Sequence, residues 1–127
     1  MKAHRLFVRS GVVVTILVAL ALAGYFGARF LMPEIVVVNH GLDLIEEVSV
    51  SLPSSRVVFG PILTGEQSTI YYDSKQADGT YRVIVSTADG SRISIECGYV
   101  TNSELGKGLR ITVLPGLNVQ CEEYRKY

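Results

Sequence analysis

What this chain lacks narrows it more than what it has in plenty. Tryptophan is absent, and only two cysteines and two histidines occur in 127 residues. One histidine, His4, lies among basic residues at the start, so His40 is the only one left for the rest of the chain. That is too little for a tetrahedral zinc set, and no C-x-x-C pair suggests redox chemistry. The formal net charge is zero, which argues against an electrostatic nucleic-acid binder. Acids are missing before Glu34, and charge of either sign is missing from residues 11–28.

These gaps divide the chain in three. Residues 1–10 form a basic tip with Lys2, Arg5 and Arg9. Residues 11–32 form an apolar stretch in which Arg29 is the only charge. From Pro33 onward there are eight Lys/Arg against twelve Asp/Glu, a net charge of −4. The uncharged run from Gly11 to Ala28, as a helix, is about 27 Å long, close to the hydrocarbon thickness of a bilayer. Arg29 can snorkel toward the headgroups, and Pro33 ends the helix. With the positive charges ahead of the span, the expected topology is a single-pass signal anchor in a bacterial inner membrane. The N-terminus is then cytoplasmic, and residues 33–127 are periplasmic or extracellular. The alternative is a cleaved, secreted protein, because Ala21-Leu22-Ala23 has the small-x-small form of a cleavage site. No cysteine follows the apolar run, so a lipoprotein is not expected. Thr15, Ala19, Ala23 and Gly27 recur every four residues, a stripe of small side chains suited to pairing with a second helix.

After Pro33 the period becomes two. Alternating runs occur at Ile35–Val38, Val48–Leu52, Ile70–Tyr72, Tyr81–Ser86, Ile93–Tyr99, Leu109–Val113 and Leu117–Cys121. Shorter apolar pieces stand at Arg56–Phe59 and Ile62-Leu63. Turn residues separate the runs, and Asp89-Gly90 is the clearest hairpin signal. The expected fold is all-β: a small antiparallel immunoglobulin-like β-sandwich of seven or eight strands, preceded by one N-terminal transmembrane helix. Ile35–Asn39 or Leu109–Leu114 is expected at an edge, open to strand addition by a peptide.

The order of these patterns carries a resemblance. Ile35-Val36-Val37-Val38-Asn39-His40-Gly41, Val48-Ser49-Val50, Leu63-Thr64-Gly65-Glu66, Gly79-Thr80-Tyr81-Arg82-Val83-Ile84-Val85 and Asp89-Gly90 follow one another. Over residues 35–90 this resembles the bacterial immunoglobulin-like modules of the CARDB kind. The resemblance implies a fold and a binding or spacer role, with no catalytic residue.

Cys97 and Cys121 fall on the apolar side of their runs, and an oxidising compartment would join them as a disulfide. Such a bridge is worth about 3 kcal/mol to a small domain. The other reading is two buried free thiols. His40 with Asp43, Glu46 and Glu47 reads as a solvated turn rather than a metal site. Asp73–Gly79 places Lys75 where a calcium loop needs oxygen, so it reads as a polar hairpin loop. Gly106-Lys107-Gly108 lacks the phosphate-loop frame and reads as an exposed turn. Ser54 and Ser55 lie in no nucleophile frame. Glu46-Glu47 and Glu122-Glu123 are adjacent, so on strands each pair splits between two faces. The tail from Glu122 to Tyr127 reads as a frayed end. Tyr71 and Tyr99 are partner anchors if they point outward. No enzyme activity, metal or cofactor is expected. The expected role is a membrane-tethered module binding a protein of the cell envelope; a structural subunit of a larger membrane complex is the alternative.

Overall fold

The computed structural model describes residues 2–126. Lys2–Leu31 form one helix, α1, so the basic tip is helical as well. None of its side chains is buried. At 30 residues the helix is about 45 Å long, and its length and composition suffice to cross a bilayer. Its serine and threonine hydroxyls are satisfied locally, as lipid would require: Ser10 Oγ donates to Leu6 O at 3.0 Å and Thr15 Oγ1 to Gly11 O at 2.9 Å. Thr15, Ala19, Ala23 and Gly27 lie exposed along one face, and a Cβ added at Gly27 would meet nothing within 4 Å.

From Met32 the chain forms a second compact unit of eight strands. These are β1 (Glu34–Asn39), β2 (Ile45–Ser51), β3 (Arg56–Phe59), β4 (Gln67–Tyr71), β5 (Gly79–Thr87), β6 (Arg92–Val100), β7 (Lys107–Leu114) and β8 (Asn118–Arg125). They form two four-stranded sheets, β4-β1-β7-β8 and β3-β2-β5-β6. Alternation puts Ile35, Val37, Leu109, Ile111 and Val113 of the first sheet into one core with Val48, Val50, Val57, Phe59, Tyr81, Val83 and Val85 of the second. The two sheets are not closed into a barrel by strand pairing.

The pairing corrects the expectation in three places. The fold is not wholly antiparallel: β1 runs parallel to β7, from Glu34 opposite Gly108 to Asn39 opposite Val113. Ile35–Asn39 and Leu109–Leu114 are not edges, because β1 and β7 are the two central strands of their sheet. The edges are β4, β8, β3 and β6. Finally, Asp73–Gly79 is a crossover rather than a hairpin loop, because β4 and β5 belong to different sheets. Ile62 contributes a single bridge to Ile45 rather than a strand.

Two loop plugs explain motifs visible in the sequence. Asn39 is fully buried, with Nδ2 donating to Asp43 O and Ile62 O, each at 3.0 Å. Its Oδ1 accepts from Gly41 N at 2.9 Å, which is the physical content of the Asn-x-Gly strand end. Gln76 is buried in the crossover, accepting from Ser54 N and donating to Ser55 Oγ and Asp73 O. The β5–β6 hairpin turns through Ala88-Asp89-Gly90, with Gly90 at φ 88° and Gly90 N donating to Thr87 O. Asp89 accepts from the Thr87 hydroxyl and the Ser91 amide; these hold its carboxyl below the usual range, the Thr87 bond most strongly.

Candidate functional site

Lys107 opens β7 in phase with Leu109, Ile111 and Val113, so its side chain enters the inner face of its sheet. Only 8% of that side chain is exposed. The expectation of an exposed turn at Gly106–Gly108 is therefore wrong: all three residues are buried, and Lys107 and Gly108 begin β7. A buried ammonium must be paired, and this one is. Its Nζ lies 3.0 Å from Glu104 Oε2 and 3.2 Å from Glu123 Oε1, and it donates to Tyr99 O. It also stands 5.5 Å above the centre of the Tyr81 ring.

Glu123 reaches Lys107 because β8 alternates: Val119, Cys121 and Glu123 point one way, Glu122 the other. Glu122 lies 4.0 Å from Arg110 on the outer face. The split thus holds for Glu122-Glu123, whereas Glu46 and Glu47 lie at a bulge of β2 and are both exposed. Glu104 is set by the turn before β7, where its carboxylate also accepts from Thr101 N. Burial pushes the Glu104 carboxyl up; the Thr101 amide and the Lys107 ammonium outweigh it and leave it below the usual range. Beneath Lys107, Tyr81 and Tyr72 share a hydroxyl hydrogen bond of 2.6 Å, their rings edge to face at 6.2 Å. Burial pushes both phenols above their usual range. Glu104, Lys107, Glu123, Tyr124 and Arg125 line an open cleft of about 260 Å³. Half-exposed Tyr99 and Leu105 stand beside it in the chain.

Two glycines let β8 close over this end. Gly98 has φ +48°, and a Cβ there would lie 2.3 Å from Glu123 Oε1. Gly108 lies under the Tyr124 ring, where a Cβ would come within 2.1 Å of the ring carbons. Tyr124 OH donates to Glu34 Oε1 at 2.7 Å, with Arg110 5.1 Å from its ring. Burial first, then the Glu34 carboxylate, push that phenol up to about 12. Gly108→Ala should cost about 2 kcal/mol by overpacking. The same change in a Tyr124→Ala background should be nearly neutral, so a double-mutant cycle of thermal stabilities would show the coupling.

Cys97 of β6 and Cys121 of β8 are bonded, with Cα atoms 5.9 Å apart and a sequence separation of 24. The bridge joins the edge strand of one sheet to the edge strand of the other. Tyr99 is exposed and Tyr71 is partly so, with Lys126 Nζ 5.1 Å from the Tyr71 ring. The tail is not frayed where described: β8 reaches Arg125, and Lys126 donates to Met32 O at 3.0 Å. Tyr127 lies outside the described residues. His40 is exposed at the end of β1, and among the described residues no group of three potential ligands could hold a metal.

No protein-family model matches this chain, and no curated protein matches it. An NMR structure of a protein from Eubacterium rectale is similar at a TM-score of 0.53 and 10% identity, covering 74% of this chain and 89% of that one. At that identity the likeness concerns the fold alone.

Proposed function

We propose that this chain is a membrane-tethered, non-catalytic binding module. Its β-rich unit, an immunoglobulin-like sandwich of the CARDB kind, is presented to a protein of the bacterial cell envelope. The helix serves as an uncleaved anchor in the inner membrane with the N-terminus in the cytoplasm, and the β unit lies on the periplasmic or extracellular side. The carrying observation is the pairing of an apolar, wholly exposed 30-residue helix with a separate compact unit containing a disulfide. Tethering keeps the module at high effective concentration near other membrane proteins. The docking surface is the end of the unit bearing Tyr99, Leu105 and the Glu104/Glu123 cleft. There, exposed apolar groups adjoin a rigid polar frame. Lys107 is held by both Glu104 and Glu123, which suits holding a shape better than moving a proton.

A photo-crosslinker placed at Tyr99 or Leu105 of the full chain, activated in intact membranes, should give one dominant adduct with an envelope protein. Affinity capture of that protein by the full chain carrying Tyr99→Ala with Leu105→Ala, without a crosslinker, should be at least tenfold weaker at an unchanged melting temperature. Capture that is unaffected by the pair would refute the surface. Thr15, Ala19, Ala23 and Gly27, exposed along one helix face, favour a second reading as a subunit of a larger membrane complex. Ala23→Leu with Gly27→Leu should then disperse the assembly and leave capture at Tyr99 intact. A mature chain beginning after Ala23 would replace both readings with the secreted one.

A further inference from the structure

Of the four edge strands, β6 carries a distinctive order of residues. Arg92-Ile93-Ser94-Ile95-Glu96, set antiparallel to itself about Ser94, places Arg opposite Glu, Ile opposite Ile and Ser opposite Ser. The same operation on β4 sets Gln67 against Tyr71 and Ser68 against Ile70. β3 is only four residues long. The charges from Glu122 to Lys126 also reverse about Tyr124, but Glu123 is committed to Lys107, and Lys126 packs against Glu34 with 10% of its side chain exposed.

The backbone of β6 is phased to match. Thr87 N donates to Ser91 O, and Gly90 N donates to Thr87 O, so Thr87 exchanges both bonds with the start of the β6 arm. Antiparallel bonding alternates from there. Val85/Ile93 and Val83/Ile95 become hydrogen-bonded pairs, while Arg92, Ser94 and Glu96 turn their N–H and C=O groups to the open edge. Their side chains are exposed, and those of Ile93 and Ile95 are half-buried. Beyond Glu96 the edge closes. Cys97 is bonded to Cys121, Gly98 interrupts the strand at positive φ, and Tyr99 N donates to Glu123 Oε1 at 2.9 Å. The open part of the edge therefore coincides with the five self-complementary residues.

We propose that β6 pairs with β6 of a second copy of this chain, antiparallel about a two-fold axis at Ser94. The two β3-β2-β5-β6 sheets then become one sheet of eight strands. Ser94 faces Ser94 and Arg92 faces Glu96 in hydrogen-bonded positions, giving about six new N–H···O bonds. Ile93 and Ile95 meet in the non-hydrogen-bonded positions, where side chains approach most closely and lose their remaining contact with water. Arg92 of one copy joins a Glu96 that already lies 3.3 Å from Arg82, extending that pair into a ladder of alternating charge. The interface is isologous, as a closed dimer requires. The axis stands normal to the sheet, so the two Glu34 ends point in opposite directions along the strands. The inference goes beyond the proposed envelope-binding role and does not depend on it, because the pairing residues Arg92–Glu96 end before Tyr99 on the same strand and do not include Leu105.

The test uses the full chain purified in detergent, with a photo-crosslinker at position 94. A dimer adduct mapping to β6 of both copies is expected. Arg92→Glu alone and Glu96→Arg alone should each lower its yield at least tenfold, since like charges then oppose each other. Mixing the Arg92→Glu chain with the Glu96→Arg chain should restore it, because each supplies what the other lacks. That rescue also shows that both variants are folded. Absence of the adduct from the unaltered chain, equal yields from all variants, or failure of the mixture to recover would overturn the proposal.

Discussion

Lys107→Met is expected to lower the stability of the β unit by about 3 kcal/mol, measured by urea unfolding at pH 7. Breaking a buried ion pair from one side costs about 3–5 kcal/mol, because the remaining charge stays desolvated. The lower end applies here, since 40% of the Glu123 side chain is exposed and it can turn toward water, whereas only 20% of Glu104 is. The cost should also depend on pH in a defined sense. The folded Glu104 carboxyl titrates below its ordinary value of 4.5, so its contribution is complete above that pH and is lost as pH falls through the folded value. The gap between the parent and Lys107→Met should therefore narrow in acid. A constant gap from pH 7 down to pH 3 would mean that Lys107 acts through its packed methylenes rather than its charge.

The second large effect is expected at the bridge. Cys97→Ala with Cys121→Ala should remove about 3 kcal/mol, the loop-closure value for a separation of 24 residues. In a unit of this size that lowers the melting temperature by more than about 10 °C. Reduction of the parent chain should reproduce the loss, and reductant should leave the double variant unchanged. The reason lies in the topology. β6 and β8 end different sheets, and no backbone ladder joins them. Beyond the bridge, contact between these strands falls largely to Glu123, which accepts from Tyr99 N. Loss of the bridge should therefore show as faster amide exchange in β6 and β8 ahead of β1 and β7.

The strands were legible because each carries its own alternation, which depends on nothing distant. The β5–β6 hairpin was legible because Asp89-Gly90 is a local signal with a local cause. Which strands lie at the centre was not, since Ile35–Asn39 reads as half-buried whether one neighbour flanks it or two. The parallel pairing of β1 with β7 joins segments more than seventy residues apart, and no local pattern encodes it. The lysine site is an intermediate case. Its phase was in the sequence, because Lys107 is two positions before Leu109 and Glu123 two positions after Cys121. A lysine between two glycines reads as an exposed turn, and Glu104 and Tyr81 come from other segments. Only folding brings the compensating groups to Lys107 and so makes its burial tolerable.

The parallel contact of β1 and β7 has a mechanical consequence. Glu34, at the start of β1, follows the end of the helix by three residues, so a pull applied through the helix enters the β unit at the start of that strand. β1 is flanked by β4 on one side and β7 on the other, over five and six paired positions. A lengthwise pull loads those two ladders in shear, with their hydrogen bonds sharing the force instead of opening in turn from one end. A body fastened this way can be tugged by its mooring and keep its shape.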